Sequence, residues 1–180
     1  MQNIFTKTGD QGKSSLANGK RLKKSELIFE VIGNLDELNS WLGVVVSHLN
    51  NDEAFVEQKD FLQQIQQQLF VISAELVKAK NSKLEKEFLK KLEIKSKNLQ
   101  EKMSANWHSK FLLPGGCQTA AWLDVARTVC RRAERSLVKL NEQEKLRPVL
   151  LQFINRLSDY LYVVRCWVNE QQGVEEKLVN

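Results

Sequence analysis

The chain has 180 residues, 42% of them hydrophobic, which is enough for one domain with a sizeable core, and its formal net charge is +5. No apolar run approaches the roughly 18 residues that a membrane-spanning helix needs, and Met1–Asp10 lacks the long apolar stretch of a signal peptide. We therefore expect a cytoplasmic protein without membrane contact. The positive charge favours an anionic partner, such as a nucleotide, a nucleic acid or a membrane headgroup.

The first 24 residues are predicted to form a loop or extended arm, because Gly9, Gly12 and Gly19 interrupt them. Six basic side chains crowd this arm: Lys7, Lys13, Lys20, Arg21, Lys23 and Lys24. The segment from Gly9 to Ser14 looks like a phosphate-binding P-loop, but only two residues separate Gly9 from Gly12, and no strand is predicted before it. A glycine-rich backbone flanked by lysines can still present N–H groups to a phosphate.

Apolar residues recurring at helical spacing predict five helices, over 25–49, 53–80, 83–103, 118–140 and 147–172. Neither glycine nor proline occurs between Gly43 and Pro114, which disfavours a β fold. Ser82 and Glu85 form a capping box that predicts the start of the third helix. Short connections predict an all-α antiparallel bundle, so that one domain over 1–180 comprises the arm, the bundle (25–172) and a C-terminal tail (173–180).

The first predicted helix carries two different stripes. Its apolar face comprises Ile28, Val31, Leu35, Leu38, Leu42, Val45 and Leu49. Its second face consists mainly of small residues: Phe29, Gly33, Asp36, Ser40, Gly43 and Ser47. Small residues let another helix approach closely, and a carboxylate buried there would need a cationic partner. The alternative is an ordinary solvated face.

The fourth and fifth predicted helices also pair an apolar face with a polar one. On the fourth, Trp122, Val125, Val129, Ala133, Leu137 and Leu140 are predicted to face the core. Arg127, Arg131, Glu134 and Arg135 lie on the opposite side. On the fifth, Asn155, Asp159 and Tyr162 lie opposite a stripe of Leu150, Phe153, Leu157, Leu161, Val164 and Val168. A basic stripe of this kind is either a binding surface or simply solvated.

The cysteines and histidines match no disulfide or metal-binding pattern. Cys117, Cys130 and Cys166 are odd in number and widely spaced, and only His48 and His108 accompany them. We predict buried, reduced thiols and no metal ion held by the protein.

Four blocks of sequence carry a resemblance to a known family. They are TKTGDQGKSS (Thr6 to Ser15), GNLDELNSWLG (Gly33 to Gly43), FLLPGG (Phe111 to Gly116), and ARTVCRRAER (Ala126 to Arg135) followed by FINRLSDYLY (Phe153 to Tyr162). In order and spacing they resemble the PduO-type ATP:cob(I)alamin (corrinoid) adenosyltransferases over essentially the whole chain. The segment from Asn51 to Met103 and the end of the chain contribute little to this resemblance.

The resemblance implies that the 5′-deoxyadenosyl group of ATP, bound with Mg²⁺, is transferred to cob(I)alamin. It implies ATP contacts from the arm: Thr6, Lys7, Thr8, Gly9, Ser14, Ser15 and Lys24. It implies that a neighbouring subunit completes the ATP site with Arg131, Arg132, Glu134, Arg135 and Asn155. Arg131 would stabilise the triphosphate as it leaves.

The resemblance also implies a homotrimer, with Asp36 and Arg127 matching an Asp–Arg pair across the subunit interface. Phe111 matches an aromatic residue that occupies the lower face of the corrin, and its alternative is an ordinary core phenylalanine. Cob(I)alamin is already a strong nucleophile, so the reaction needs no general base. The chain accordingly has no plausible Ser-His-Asp or Cys-His pair.

Two other functions stay open at this point. A basic helical protein that binds nucleic acid would use the arm and the arginine stripe, but Asp36, Glu134 and the lack of stacking aromatics disfavour it, so we predict no nucleic-acid partner. A carrier that binds ATP and corrinoid without turnover is the second. A cobalamin-dependent enzyme or a Co(II) reductase is the expected protein partner.

Overall fold

Five helices and one small hairpin make up the computed structural model, which describes residues 5, 7–49, 53–104, 107 and 111–179. The elements are β1 (Lys13–Ser15), β2 (Arg21–Lys23), α1 (Leu27–Leu49), α2 (Val56–Leu76), α3 (Lys86–Gln100), α4 (Gln118–Gln143) and α5 (Pro148–Gln171), with a 3-10 turn at Glu53–Phe55. The predicted all-α, five-helix fold is therefore confirmed. Within the described ranges, no helix is long and apolar enough to cross a membrane.

The bundle is built outward from α1 and α4. α1 packs between α2 and α4, and α5 packs between α4 and α3. The apolar stripe predicted for the first helix is buried apart from Ile28, which is half-buried, and that of the fifth helix is fully buried. The second predicted helix also has a fully buried apolar stripe, which comprises Phe55, Leu62, Ile65, Leu69, Ile72 and Leu76. Aromatic contacts close the bundle, because the ring of Phe61 lies 5.8 Å from Phe88 on α3 and 5.4 Å from Tyr160 on α5.

Part of the N-terminal arm, which is predicted to be a loop or extended, forms a small hairpin. β1 and β2 pair antiparallel, with Ser14 opposite Leu22. Gly19 closes the turn between them in the left-handed region (φ 84°), which glycine adopts without strain, and its N–H donates to the carbonyl of Leu16 at 2.9 Å. Strands of three residues are too short for an alternating pattern to reveal them in the sequence.

The capping box predicted at Ser82 and Glu85 is wrong. The third helix begins at Lys86, and Glu85 is an extended N-cap residue without a side-chain hydrogen bond. Side chains of other helices hold the residue before Glu85 in a non-helical conformation. Leu84 donates its N–H to Glu75 Oε2 at 2.8 Å, and its carbonyl accepts from Arg147 Nη2 at 2.6 Å. A tertiary ion pair between α2 and the start of α5 thus overrides a local helix signal.

The fourth helix is rotated slightly from the predicted register. Val129, Ala133, Leu137 and Leu140 are buried as expected, whereas Trp122 and Val125 are only half-buried. Leu123, Ala126 and Cys130 are buried in their place, because α1 covers one side of α4 and α5 covers the other. Trp122 instead stacks on Trp41 at the edge of the bundle, with ring centroids 5.4 Å apart.

Burial of the cysteines follows the prediction in two cases out of three. All three thiols are free. Cys130 and Cys166 are buried, but Cys117 is half-buried because it caps the N-terminus of α4, where its sulfur accepts from the N–H of Ala120 at 3.4 Å.

Candidate active site

A cavity of about 710 Å³ opens among α3, α4, α5 and the segment before α4. It is lined by Ser96, Gln100, Trp107, Phe111, Leu112, Arg127, Arg131, Ser158, Asp159, Tyr162 and Val163. Three of these residues, Phe111, Arg127 and Arg131, are site residues predicted from the sequence. The structure therefore brings an aromatic side chain and two cations from separate sequence blocks to one cavity.

Phe111 is 86% exposed, which excludes the alternative of a core phenylalanine. It lies on an extended segment before α4, where Leu113 is also exposed. A large apolar side chain exposed beside a cavity is available to pack against an apolar face of a ligand.

The aromatic wall of the cavity stays uncharged. Trp107 lies 6.0 Å from the ring of Tyr162. Burial, followed by the neighbouring Cys166, raises the pKa of the Tyr162 phenol to about 12, so the phenol is neutral at physiological pH. This side of the cavity therefore suits a flat, largely apolar ligand.

Two arginines one helical turn apart supply the positive charge of the cavity. Arg131 is exposed, whereas Arg127 is half-buried and its Nε atom has no hydrogen-bond partner among the described residues. The nearest carboxylate to Arg127 is Asp124, at 3.7 Å between Nε and Oδ1, which is too long for a hydrogen bond. An unpaired buried donor of this kind leaves bonding capacity for a ligand or a partner subunit.

Several predicted phosphate-binding residues lie in or beside the N-terminal hairpin, outside this cavity. Arg21 Nη2 donates to the carbonyl of Thr8 at 2.7 Å, and Lys24 donates its backbone N–H to Gly12 at 2.8 Å. The ammonium group of Lys24 lies over Gly9, where an added Cβ would be 3.0 Å from Nζ. Turns thus bring the Lys7–Gly9 segment beside Lys24, whereas Thr6 lies outside the described residues.

The hairpin and the cavity do not meet within one chain. None of the cavity's lining residues belongs to the hairpin, and β1 and β2 make no more than marginal contact with the described helices. Asp36 is also apart from the cavity, on the exposed face of α1, where it borders a depression of about 330 Å³ with Phe29, Gly33 and Phe70. No contact joins Asp36 to Arg127 in the part of the chain that the structure describes.

Comparison with known proteins places this arrangement in a family. Residues 4–168 match the family model described as Cobalamin adenosyltransferase. The corrinoid adenosyltransferase of Bacillus subtilis is 36% identical, over 95% of this chain and 89% of its own. The corrinoid adenosyltransferase PduO of Salmonella typhimurium is 39% identical, over 89% of this chain but only 48% of its own length.

A solved structure agrees along the whole chain. A variant of a PduO-type ATP:corrinoid adenosyltransferase from Lactobacillus reuteri, complexed with cobalamin and ATP, superposes with a TM-score of 0.90 at 33% identity and covers 99% of both chains. This chain belongs to the cobalamin adenosyltransferase family. It is accordingly a transferase by family, and the resemblance to PduO-type corrinoid adenosyltransferases that the sequence blocks carry is confirmed.

The remaining residues predicted from the family resemblance lie in several different surroundings. Asn155 donates to Glu134 Oε1 at 2.8 Å, so these two residues are brought together between α5 and α4. Arg132 instead turns toward α1, where its Nε donates to Asn34 at 3.1 Å and its Nη2 pairs with the carboxylate of Glu37. Arg135 is exposed, and Ser15 is exposed on β1 while Ser14 is half-buried.

Sequence reasoning missed a buried ionic cluster behind the cavity. Arg165 on α5, 1% exposed, pairs with Asp124 on α4 and with Glu176 in the tail. The signal was present, because Arg165 stands within the apolar run from Tyr160 to Val168, where a charge needs a partner. No group of three potential metal-ligating side chains occurs among the described residues of this family member.

Proposed function

We propose that this chain transfers the 5′-deoxyadenosyl group of ATP to the cobalt of cob(I)alamin, releasing triphosphate and forming adenosylcobalamin. The observation that carries the proposal is the cavity that joins Phe111, Arg127 and Arg131 in a chain of this family. The Lactobacillus reuteri protein, which shares the fold over its full length, is complexed with cobalamin and ATP.

The reaction is a substitution at the ribose 5′-carbon of ATP. The cobalt of cob(I)alamin supplies an electron pair to that carbon, and the bond to the triphosphate oxygen breaks with its electrons. No proton moves, so the protein has to hold the two substrates in line and stabilise the charge that grows on the triphosphate. ATP enters as its magnesium complex, and Arg131 offers the bidentate geometry that suits a phosphate.

We propose that Phe111 occupies the lower face of the corrin and keeps water and the nucleotide base of cobalamin away from cobalt. Its 86% exposure leaves the ring available to a substrate, and the neutral aromatic wall of Trp107 and Tyr162 lies in the same cavity. Co(II) without a lower ligand is easier to reduce to Co(I). Phe111 would thus act before the transfer step and not in it.

We also propose that the ATP site is completed between subunits of a homotrimer. The hairpin that carries the arm residues lies apart from the α4 arginines in one chain, and the buried Nε of Arg127 has no hydrogen bond among the described residues. The face of α1 around Gly33 is exposed, and a Cβ built there would meet no atom within 4 Å apart from its chain neighbours and the backbone of its own helix. A neighbouring α4 packed against this face would bring Arg127 to Asp36.

The activity is tested by mixing chemically reduced cob(I)alamin with MgATP under anaerobic conditions and recording the adenosylcobalamin spectrum. We expect turnover by the wild type. ATP binding without product at saturating substrate concentrations would contradict the proposal and favour a carrier. Binding of nucleic acid in place of ATP would favour the other alternative.

Assembly is tested by light scattering, which should give about three times the chain mass of 20.8 kDa. Gly33→Leu should weaken assembly although it favours the helix of an isolated chain, because glycine is the poorer helix former by about 1 kcal/mol. Lys90→Leu, which places the same side chain on the exposed surface of α3, is the control. Unchanged assembly in Gly33→Leu would remove this face from the interface.

The Asp36–Arg127 pair is tested by a double-mutant cycle with Asp36→Asn and Arg127→Ala. Removing one partner of a buried pair costs about 3–5 kcal/mol, so each single change should weaken assembly and ATP affinity, and the double change should cost less than their sum. Additive effects would show that the two residues do not interact.

A further inference from the structure

The segment that follows Phe111 is fastened to the bundle by Arg165. The Nη2 atom of this side chain donates to the carbonyl of Leu113 at 2.8 Å and to that of Gly115 at 3.1 Å. Its Nε donates to Asp124 Oδ2 at 3.0 Å, and the same carboxylate oxygen accepts the N–H of Gly115 at 2.9 Å. One buried ion pair therefore satisfies three main-chain groups immediately after Phe111.

Asn169, which is fully buried one turn further along α5, also bonds the backbone of this segment. Its Nδ2 donates to the carbonyl of Gly115 at 3.1 Å, and its Oδ1 accepts the N–H of Cys117 at 2.9 Å. Gly116 passes so close that a Cβ there would be 2.2 Å from Asn169 Nδ2, and its φ of 101° also requires glycine. The path from Phe111 to α4 is consequently fixed at Leu113, Gly115 and Cys117.

The C-terminal tail joins the same cluster through Glu176. Its Oε1 accepts from Asn169 Nδ2 at 2.9 Å and pairs with Arg165 Nη1. The tail then runs beside Phe111 as a short antiparallel ladder, with Leu113 donating to the carbonyl of Lys177 at 2.8 Å and Val179 donating to the carbonyl of Phe111 at 2.9 Å. Phe111 is thus held through its backbone by the tail, while its ring is free.

Burying the Arg165–Asp124 ion pair costs free energy, so the groups that it bonds indicate what it is for. Burying a guanidinium and a carboxylate removes both from water and usually adds little net stability. Here the buried groups direct their remaining hydrogen bonds to the backbone of one loop and to the tail beside it. Because the ring of Phe111 is exposed, its own packing cannot fix its position, and that task falls to the backbone on which it stands.

We infer that Arg165 and Glu176 are positioning residues that hold Phe111 in place against the lower face of the corrin. Glu176 does so by attaching the C-terminal tail, which bonds the backbone of Phe111, to Arg165 and Asn169. The inference rests on the role proposed for Phe111. It implies that the tail sets the efficiency of Co(II) reduction and leaves the transfer step itself untouched.

The test compares Glu176→Gln and Arg165→Lys with Glu175→Gln, a matched change at an exposed neighbour in the tail. Each variant is assayed from Co(II) with a reduced flavin as electron donor, using cobalamin and cobinamide, and from chemically reduced cob(I)alamin. We expect a loss of about 10-fold to 10²-fold with Co(II) cobalamin, because a small displacement of a positioned group costs that much. The rate with Co(II) cobinamide should fall less. The rate from cob(I)alamin should change by less than about 2-fold, because Phe111 is not needed for the transfer step.

Phe111→Ala separates the inference from the function on which it rests. If this variant shows no loss of rate that is selective for cobalamin over cobinamide, the role proposed for Phe111 fails, whatever the effect of changing Arg165 or Glu176. If it shows the selective loss but Glu176→Gln and Arg165→Lys do not, the positioning inference fails alone. In a Phe111→Ala background we expect Glu176→Gln to add no further loss. Thermal unfolding of each variant shows whether the fold is intact. A loss of folded protein would lower the rate equally in all three assays.

Discussion

In the proposed function, Phe111 and the loop after it serve the corrinoid and the N-terminal hairpin serves ATP, and these two regions are held in different ways. The loop is fixed by buried side chains from α4 and α5, above all Arg165 and Asn169, and by the backbone of the tail. The hairpin is held by exposed main-chain turns and by the bond from Arg21 to Thr8. Buried side chains therefore fix the loop proposed to serve the corrinoid, whereas the hairpin proposed to serve ATP depends on bonds at the surface.

The largest effect should come from removing the cation of the buried cluster. Arg165→Met leaves the buried carboxylate of Asp124 and that of Glu176 without their guanidinium, and we expect the free energy of unfolding to fall by about 3–5 kcal/mol. Arg21→Met in the hairpin should cost less than about 1.5 kcal/mol, the usual worth of one hydrogen bond. Urea denaturation of both variants measures the contrast, and equal losses would show that the two regions are held alike.

Arg131→Ala tests the cavity without disturbing the fold. Loss of a preorganised donor commonly costs about 10²–10³-fold in kcat, and Arg131→Lys should restore only part because a point charge replaces a planar fork. The side chain is exposed, so the free energy of unfolding should stay nearly constant. Lys139→Ala on the exposed surface of the same helix is the control, and wild-type kcat in Arg131→Ala would remove this residue from the mechanism.

Lys24→Ala sharpens the hairpin side of the comparison. Losing a charge-assisted bond to a phosphate should raise the KM for ATP by about 10-fold and change kcat little, since the lysine binds substrate equally before and during transfer. Lys20→Ala, a neighbouring charge on the same hairpin, controls for net charge. A fall in kcat as large as that of Arg131→Ala would mean that the hairpin acts on the leaving group directly.

The smallest effect concerns acid sensitivity at the other end of the bundle. Burial opposes ionisation of Glu75, but the hydrogen bonds from Arg147 and Leu84 outweigh it and lower the pKa of that carboxyl below its ordinary value of 4.5. A lowered pKa stabilises the fold fully above pH 4.5, and this contribution is lost as the pH falls through the folded pKa. The stability of Glu75→Gln should therefore depend less on pH below 4.5 than that of the wild type. Parallel curves would exclude Glu75 as the acid-sensitive group.

Local pattern was sufficient for the helices and for the faces that α1, α2 and α5 bury. Helical periodicity depends on residues three and four apart, which the sequence displays directly. The same local information failed at the hairpin, whose strands are too short for a period, and at the capping box, where the Glu75–Arg147 pair holds the chain extended. It also misplaced the core face of α4, because two neighbouring helices determine that register.

The family blocks named Phe111, Arg127 and Arg131 from sequence alone, and their meeting in one cavity follows from the packing of α4 against the loop before it. What only the tertiary structure decided is how Phe111 is held. Arg165 and Asp124 are 41 residues apart, and Asn169 and Cys117 are 52 apart. Contacts over such separations carry no local periodicity, and a buried arginine reveals only that a partner must exist. The identity of that partner, and the loop it serves, depend on which helices pack together.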